Sequence, residues 1–170
     1  MKFNAYKLRR TSSSEEKRKQ VRKNDIYIVL DNVLDTYNVG AIFRLADAVA
    51  AKKIYLCGHT ETPPNSRIKK ASINTTEWVA WSYKSSAVEA LQELRTQNSE
   101  LRTIAIEQSQ KSIPYTKANY QFPIALVVGN ETHGVSEEVL RIADQIVELP
   151  LFGINVSLNV MVSLGIILYK

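Results

Sequence analysis

Residues 25–57 read DIYIVLDNVLDTYNVGAIFRLADAVAAKKIYLC, and this stretch decides the fold. The run IYIVL at 26–30 is apolar and rich in β-branched residues, which predicts a buried strand. Residues 39–51 place Ala, Ile, Leu and Val on one side at helical spacing, and KKIYLC at 52–57 predicts a second strand. A strand, a helix and a second strand in this order predict a βαβ unit with parallel strands.

The rest of the chain continues the alternation of strands and helices. The predicted helices are RIKKASI (67–73), AVEALQELRTQ (87–97) with Ser85 or Ser86 as its cap, SEEVLRIAD (136–144) with Ser136 as its cap, and a long apolar helix from about Val156. The predicted strands are EWVAWSY (77–83), LRTIAIE (101–107), the first part of PIALVVGNE (123–131) and QIVELP (145–150). The pattern predicts one α/β domain with a mostly parallel sheet and helices on both faces.

Positive charge is concentrated at the start of the chain. Residues 1–23 hold nine Lys or Arg and two Glu, a net charge of +7, whereas the other 147 residues hold 13 basic and 15 acidic side chains, a net charge of −2. Residues 12–23 are polar all round and predict a surface helix. We therefore divide the chain into a basic arm at 1–24 and a domain at 25–170. Charge alone fits equally a contact with a phosphate backbone and a solvated tail.

Composition excludes several classes of protein. The single cysteine, Cys57, has no partner for an intrachain disulfide, which favours a reduced cytoplasmic setting. No run of about 18 apolar residues predicts a membrane span, and the basic start lacks the apolar stretch of a secretory signal. His59 and His133 are far apart in sequence, and no cluster of metal ligands is predicted.

Polar residues follow three of the predicted strands, where ligands gather in sheets of this class. Asn38, a predicted helix cap, and Gly40, which permits close approach of a ligand, follow the first strand, with Arg44 two helical turns into the next helix. The turn GNETHG (129–134) carries Glu131, and LFGINVSLN (151–159) carries two more polar residues.

Each of these residues also has a purely structural interpretation. Asn38 and Ser157 can serve as helix caps, Arg44 can pair with Asp47 at helical spacing, and Glu131 can lie on a solvated turn. The functional interpretation gains weight because the features occur together, at the ends of neighbouring strands.

Three segments resemble one known family. NVGAIFRLADA (38–48), LVVGNETHGVS (126–136) and LPLFGINVSLNVMVSLGIILY (149–169) match, in order and spacing, the motifs of the SpoU/TrmH-like RNA 2′-O-methyltransferases of the SPOUT superfamily. The resemblance covers about residues 25–170. Thr36 stands where the first motif commonly has proline, and the last helix is less alanine-rich than is typical.

The resemblance implies a doubly wound α/β domain whose C-terminal segment forms a trefoil knot, an exception to the rule that chains are unknotted. It also implies that S-adenosylmethionine binds in the knot through main-chain groups, which fall on Gly129, Leu149 and Leu158. A two-fold homodimer next to the site is implied as well, with the apolar last helix serving as core or interface. No metal is required.

The family's catalytic positions fall on Asn38, Arg44, Glu131, Ser157 and Asn159. A guanidinium is almost always protonated, so removal of the proton by Arg44 itself is disfavoured. In the preferred interpretation Arg44 holds an adjacent phosphate or stabilises the developing alkoxide, and the proton leaves to phosphate or water. Asn38 and Glu131 orient Arg44 and the ribose, and the two residues of the third motif fix the loop and contact substrate or cofactor.

RNA is the expected partner, with tRNA favoured over rRNA for a small enzyme without a separate RNA-binding domain. The residues expected to contact it are Arg9, Arg10, Arg18, Lys19, Arg22, Arg67, Lys69 and Lys70. Two alternatives remain open at this point. One is a catalytically silent RNA-binding module with the same fold, and the other is a knotted enzyme that methylates a base.

Overall fold

The computed structural model describes residues 15–170. Seven strands form one sheet, and every pair of neighbouring strands is parallel. The strands are β1 Asn24–Asp31, β2 Ala51–Cys57, β3 Trp81–Lys84, β4 Arg102–Ile106, β5 Ile113–Pro114, β6 Ile124–Val128 and β7 Gln145–Glu148. Their order across the sheet is β3-β2-β1-β6-β4-β7-β5. The chain therefore places β2 and β3 on one side of β1 and the other four strands on the opposite side.

Six α-helices cover the sheet in the described part of the chain. They are α1 Glu15–Gln20, α2 Thr36–Ala48, α3 Ser66–Ser72, α4 Ala87–Gln97, α5 Glu137–Ile142 and α6 Val160–Leu168. Helices α2, α3 and α6 contribute to the core on one face of the sheet, and α4 and α5 contribute to the core on the other. The predicted fold class, a parallel sheet with helices on both faces, is confirmed.

The two cores follow from the alternation of side chains along each strand. In β1, Ile26, Ile28 and Leu30 face the core shared with α2 and α6, whereas Tyr27 and Val29 face the core shared with α4 and α5. Both sets are buried because β1 lies inside the sheet, which explains why its sequence is an unbroken apolar run.

Two predicted helix starts are wrong. Helix α2 begins at Thr36, and its cap is Asp35, whose carboxylate accepts a hydrogen bond from the backbone N–H of Tyr37. Asn38 therefore lies inside the first turn and is not the cap. The last helix begins at Val160 rather than near residue 156, because the side chain of Asn159 accepts hydrogen bonds from the first-turn N–H groups.

Smaller differences occur at two other strands. The strand predicted over 77–83 is present only as β3, because residues Thr75–Glu77 form a 3-10 turn. The strand β5 was not predicted, since it has two residues and one of them is Pro114 at the sheet edge. Ser86 caps α4 as predicted, with its hydroxyl accepting from Glu89 N.

Helix α1 packs against the body of the protein through Arg18. Its guanidinium lies 5.5 Å from the centre of the Trp78 ring and donates a 3.2 Å hydrogen bond to the carbonyl of Glu77. Residues 12–14 of the predicted surface helix, and with them Arg9 and Arg10, lie outside the described residues.

No helix in the described part of the chain is long and apolar enough to cross a membrane. The trefoil knot stays a prediction.

Candidate functional site

The carboxyl ends of β4, β6 and β7 surround a cavity of about 400 Å³, closed on one side by residues 155–160. Ligands in open parallel sheets bind at this edge, beside the point where the strand order reverses. The cavity is lined by six of the eight residues predicted for catalysis or cofactor binding: Gly129, Glu131, Leu149, Ser157, Leu158 and Asn159. Asn38 and Arg44 do not line it.

One hydrogen-bonded chain joins the three sequence motifs. The side-chain amide of Asn38 donates to Glu131 Oε1 at 2.9 Å, and its carbonyl oxygen accepts from Asn159 Nδ2 at 3.0 Å. Asn159 in turn caps α6. Asn38 is 6% exposed, so neither end of its amide is replaced freely by water. These contacts link positions 93 and 121 residues apart in sequence, and they give Asn38 a role that a helix cap does not.

The Glu131 carboxylate is held on both oxygens. Besides Asn38, it accepts hydrogen bonds of 3.0 Å from the backbone N–H groups of Leu34 and Asp35, just before α2. Loss of solvent around the carboxylate opposes its ionisation, but these hydrogen bonds outweigh that effect and hold the pKa of Glu131 below its ordinary value. Glu131 thus fastens the turn after β6 to the start of α2, and it is not a freely solvated side chain.

Gly129 and Gly134 close the turn that carries Glu131. The backbone of Asn130 exchanges two 2.9 Å hydrogen bonds with that of Gly134. A Cβ added to Gly129 would lie 2.1 Å from the carbonyl carbon of Gly134, and Gly134 has a φ of +71°. The turn therefore needs glycine at both ends for its own closure.

Two residues that the sequence analysis did not single out support the cavity walls. Glu107 Oε2 accepts from the backbone N–H of Val135 at 2.8 Å, and Gln108 Nε2 donates to the carbonyl of Val156 at 3.0 Å. They come directly after β4, so the rule that pointed to the other loops could have found them too. Glu107 secures the turn after β6, and Gln108 secures the loop that precedes α6.

Arg44 lies at a second cavity, of about 520 Å³, between α2 and α3. Lys69 and Lys70 line the same cavity. Arg44 is exposed and makes no hydrogen bond or ion pair with the part of the chain that the structure describes. The alternative pairing with Asp47 does not form, because Asp47 accepts a 2.7 Å hydrogen bond from Trp78 Nε1. Three basic side chains thus surround an open cavity.

Gly40 has a different role from the predicted one. A Cβ at this position would lie 2.6 Å from Ala71 Cβ and 2.7 Å from the carbonyl oxygen of Ile68. The close approach that Gly40 permits is therefore that of α3, which carries the lysines of the second cavity, and the predicted approach of a ligand is wrong. Arg67, Lys69 and Lys70 are all exposed on α3. Lys19 and Arg22 are exposed near α1.

Within residues 15–170, no group of three or more His, Cys, Asp or Glu side chains is placed to hold a metal ion. Cys57 is buried, and burial raises the pKa of its thiol to about 12.

The sequence and the fold of the chain are both similar to those of known proteins. The chain is 36% identical over 155 residues to the tRNA (guanosine(18)-2′-O)-methyltransferase of Aquifex aeolicus, a match that covers 88% of this chain and 69% of that relative. The crystal structure of the A. aeolicus TrmH/SpoU tRNA modifying enzyme superposes with a TM-score of 0.79 at 32% identity, over 97% of this chain and 79% of that one.

A second solved structure extends the comparison. The AdoMet-bound rRNA methyltransferase of Sinorhizobium meliloti superposes with a TM-score of 0.77 at 26% identity, over 95% of this chain and 58% of that one. Residues 25–169 match the model of the SpoU rRNA Methylase family. This match spans most of the chain, including all three segments joined through Asn38, and we conclude that the chain belongs to the SpoU rRNA Methylase family.

Proposed function

We propose that this protein transfers a methyl group from S-adenosylmethionine to a ribose 2′-hydroxyl of RNA, with tRNA favoured over rRNA as substrate. The observation that carries the proposal is the hydrogen-bonded chain Glu131–Asn38–Asn159 at the edge of the 400 Å³ cavity. Family membership supports the proposal, and the A. aeolicus relative, which is named for 2′-O-methylation of tRNA, supports the choice of RNA.

The cavity fits the cofactor in size and chemistry. A volume of about 400 Å³ lies within the range of small-molecule sites. Leu149 and Leu158, which line the cavity, would supply apolar walls for an adenine, and the main-chain groups of Gly129, Leu149 and Leu158 would pair with its polar edge. When bound, S-adenosylmethionine supplies an electrophilic methyl group, so the protein's task is to place and polarise the accepting hydroxyl.

Arg44 acts on the RNA side of the reaction. Its guanidinium, together with Lys69 and Lys70, forms a basic surface that suits a phosphate next to the target ribose. In this position Arg44 holds that phosphate or stabilises the alkoxide that develops on the 2′-oxygen, and the proton leaves to phosphate or water. Because DNA lacks the 2′-hydroxyl, only RNA is a substrate.

The remaining polar residues of the site position these groups. Asn38 and Glu131 fix the start of α2, the helix that carries Arg44. Asn159 and Ser157 shape the loop before α6, and both line the cavity, where they contact substrate or cofactor. Catalysis in this scheme is mainly orientation and electrostatic stabilisation.

The basic arm extends the contact with RNA. Lys19 and Arg22 are exposed beside the domain, Arg18 holds α1 against Trp78, and Arg67 adds charge to α3. Arg9 and Arg10, which precede the described residues, belong to the same proposed surface. Contacts of this kind act on the phosphate backbone and so contribute affinity without sequence selection.

A homodimer is part of the proposal, together with a cytoplasmic location where tRNA and rRNA are modified. Helix α6 buries Leu164 and Ile167 in the core but leaves Val162, Ile166 and Tyr169 between 40% and 70% exposed. Their spacing places them on one face of the helix. A second copy of the chain would cover this face, and light scattering after size-exclusion chromatography measures the resulting mass.

The experiment that tests the function combines labelled cofactor with RNA. The protein is incubated with methyl-labelled S-adenosylmethionine and fractionated total RNA, and the product is digested and separated into nucleosides. We expect label in 2′-O-methylated nucleosides and mainly in the tRNA fraction. A deoxy oligonucleotide of the same sequence as the methylated RNA is the control and should stay unlabelled.

Other outcomes select the alternatives. Label on a base with unmodified ribose would establish the base-methylating enzyme. Absence of label together with absence of cofactor binding by isothermal titration would establish the silent RNA-binding module.

A further inference from the structure

The lining of the cofactor cavity is acidic. Three carboxylates line it, those of Glu107, Glu131 and Glu148, whereas no Lys, Arg or His of residues 15–170 does. The basic surface around Arg44 belongs to the separate cavity between α2 and α3. The wall around the bound cofactor is therefore negative, although the chain as a whole has a net charge of +5.

The three carboxylates are held differently. Glu131 and Glu107 each accept backbone hydrogen bonds on both oxygens, Glu107 from Val135 and Gln108. Glu148, the last residue of β7, accepts a 2.8 Å hydrogen bond from the Ser112 hydroxyl on Oε2. Its other oxygen makes no hydrogen bond or ion pair within the described part of the chain.

Among the three carboxylates, Glu148 is thus the one with an oxygen that has no protein partner in the described part of the chain. It directly precedes Leu149, and both line the cavity. The Ser112 hydroxyl, which also lies 2.7 Å from the carbonyl oxygen of Ser109, restrains one oxygen of Glu148 and leaves the other open to a ligand. A negative group in a partly enclosed site interacts more strongly with a cationic ligand than it would in open water.

We propose that Glu148 is a specificity-determining residue that makes the cavity prefer S-adenosylmethionine, whose net charge is positive, over its product S-adenosylhomocysteine, a zwitterion with no net charge. This inference rests on the proposed function. Methyl transfer removes the sulfonium charge, so the product has one positive charge fewer than the cofactor. The attraction to Glu148 is present before the transfer and weakened after it, which favours exchange of product for fresh cofactor.

The test is Glu148→Gln, which removes the charge and keeps the shape and an acceptor for Ser112. Dissociation constants are measured by isothermal titration for S-adenosylmethionine, for sinefungin, which carries an amine near the sulfonium position, and for S-adenosylhomocysteine. We expect about threefold to tenfold weaker binding of the two cationic ligands and a change within about twofold for the neutral product.

Two further variants separate local charge from other effects. Glu148→Asp retains the charge and should retain the preference for the cation. Glu100→Gln makes the same change of net charge at an exposed residue outside the cavity, and it should leave all three dissociation constants unchanged. In the wild-type protein the preference should decrease as salt is raised, because the cavity opens to solvent. This measurement needs no variant and so does not depend on the folding of Glu148→Gln.

The outcomes distinguish this inference from the proposed function. Equal loss for all three ligands, or no loss for any, would overturn the role of Glu148 while leaving the methyltransferase intact. A wild-type protein that methylates RNA but shows no salt-dependent preference would do the same. A wild-type protein that binds none of the three ligands would overturn the proposed function itself.

Discussion

The two cavities of this protein are built in opposite ways. At the cofactor cavity, the lining side chains Glu131, Asn159 and Glu107 are tied to backbone or to the neighbouring Asn38 by hydrogen bonds of 2.8–3.0 Å. In the cavity between α2 and α3, Arg44 is exposed and has no bonded partner in the described part of the chain.

This difference indicates that the two cavities have separate roles. A cavity whose polar side chains are mostly held in place by hydrogen bonds binds a ligand with little rearrangement, at low cost in conformational entropy. A cationic side chain without a protein partner pairs with the substrate instead. The energy of that interaction is then available to stabilise the transition state.

The largest effect is expected for Arg44→Lys. Lysine keeps the charge but loses the planar, forked donor geometry, so turnover should decrease by about 100-fold or more. Binding of S-adenosylmethionine should stay within about twofold, because Arg44 does not line the cofactor cavity. Single-turnover methylation and isothermal titration measure the two quantities.

The matched control is Arg141→Lys, on α5 at the other face of the sheet, where Arg141 pairs with Glu138 and with no other acidic side chain of residues 15–170. Its turnover should equal that of the wild type. If Arg44→Lys kept turnover near the wild-type rate, Arg44 would not be a catalytic residue.

The second prediction concerns the contact that positions α3 against α2. Gly40→Ala should lower the free energy of unfolding by about 2–3 kcal/mol, because the added Cβ meets Ala71 and the backbone of α3 at 2.6–2.7 Å. Activity at permissive temperature should also decrease, since Lys69 and Lys70 shift relative to Arg44.

Gly165→Ala provides the comparison within another helix. Its nearest neighbours are Leu45 methyl carbons at 3.6 Å, an ordinary contact, so stability should be unchanged or raised by up to about 1 kcal/mol. If denaturant titrations gave Gly40→Ala and Gly165→Ala the same free energy of unfolding, α2 and α3 would not pack as closely as the structure shows.

The third prediction concerns pH and the cofactor side. Glu131→Gln should cost about 1–2 kcal/mol of stability at neutral pH, because an amide cannot accept on both sides from Leu34, Asp35 and Asn38. The pKa of Glu131 is below its ordinary value of 4.5 in the folded protein, so its contribution is complete above that pH. It is lost as the pH falls below 4.5 and through the folded-state pKa.

Denaturant titrations of both proteins from pH 7 to pH 3 measure this contribution. The gap between wild type and Glu131→Gln should be constant at neutral pH and should close at acidic pH. A gap that does not change with pH would assign the stability to shape rather than to the ionised carboxylate.

The sequence predicts the fold and the grouping of the site much better than it predicts the contacts within the site. Apolar runs and helical spacing mark most elements, because each strand inside a parallel sheet is buried on both faces. The rule of strand ends then brings together Gly129, Glu131 and the loop before α6, and the family resemblance adds Leu149.

The contacts of Asn38, Gly40 and Arg44 could not be predicted in this way. Asn38 bonds to residues 93 and 121 positions away, and local sequence favours the nearer role of a helix cap. The reason for Gly40 lies in α3, a separate element. Strand β5 is too short to show periodicity. In each case the deciding partner is distant in the chain.

The smallest effect is expected for Gln108→Met, which tests whether the cofactor cavity is held in shape by residues that do no chemistry. Methionine fills the same volume but cannot donate to the carbonyl of Val156, so the loop carrying Ser157 and Leu158 loses one constraint. Binding of S-adenosylmethionine should weaken by about twofold to tenfold, the range of one neutral hydrogen bond. The turnover number at saturating cofactor should change by less than about twofold, because the loop is restored once the ligand is bound. Gln92→Met, at an exposed position of α4, should leave both quantities unchanged. If Gln108→Met lost turnover while its cofactor affinity was unaltered, Gln108 would act on the reacting groups rather than support the cavity wall. The cofactor cavity would then not be a preformed site, in contrast to the open basic cavity, in the sense argued above.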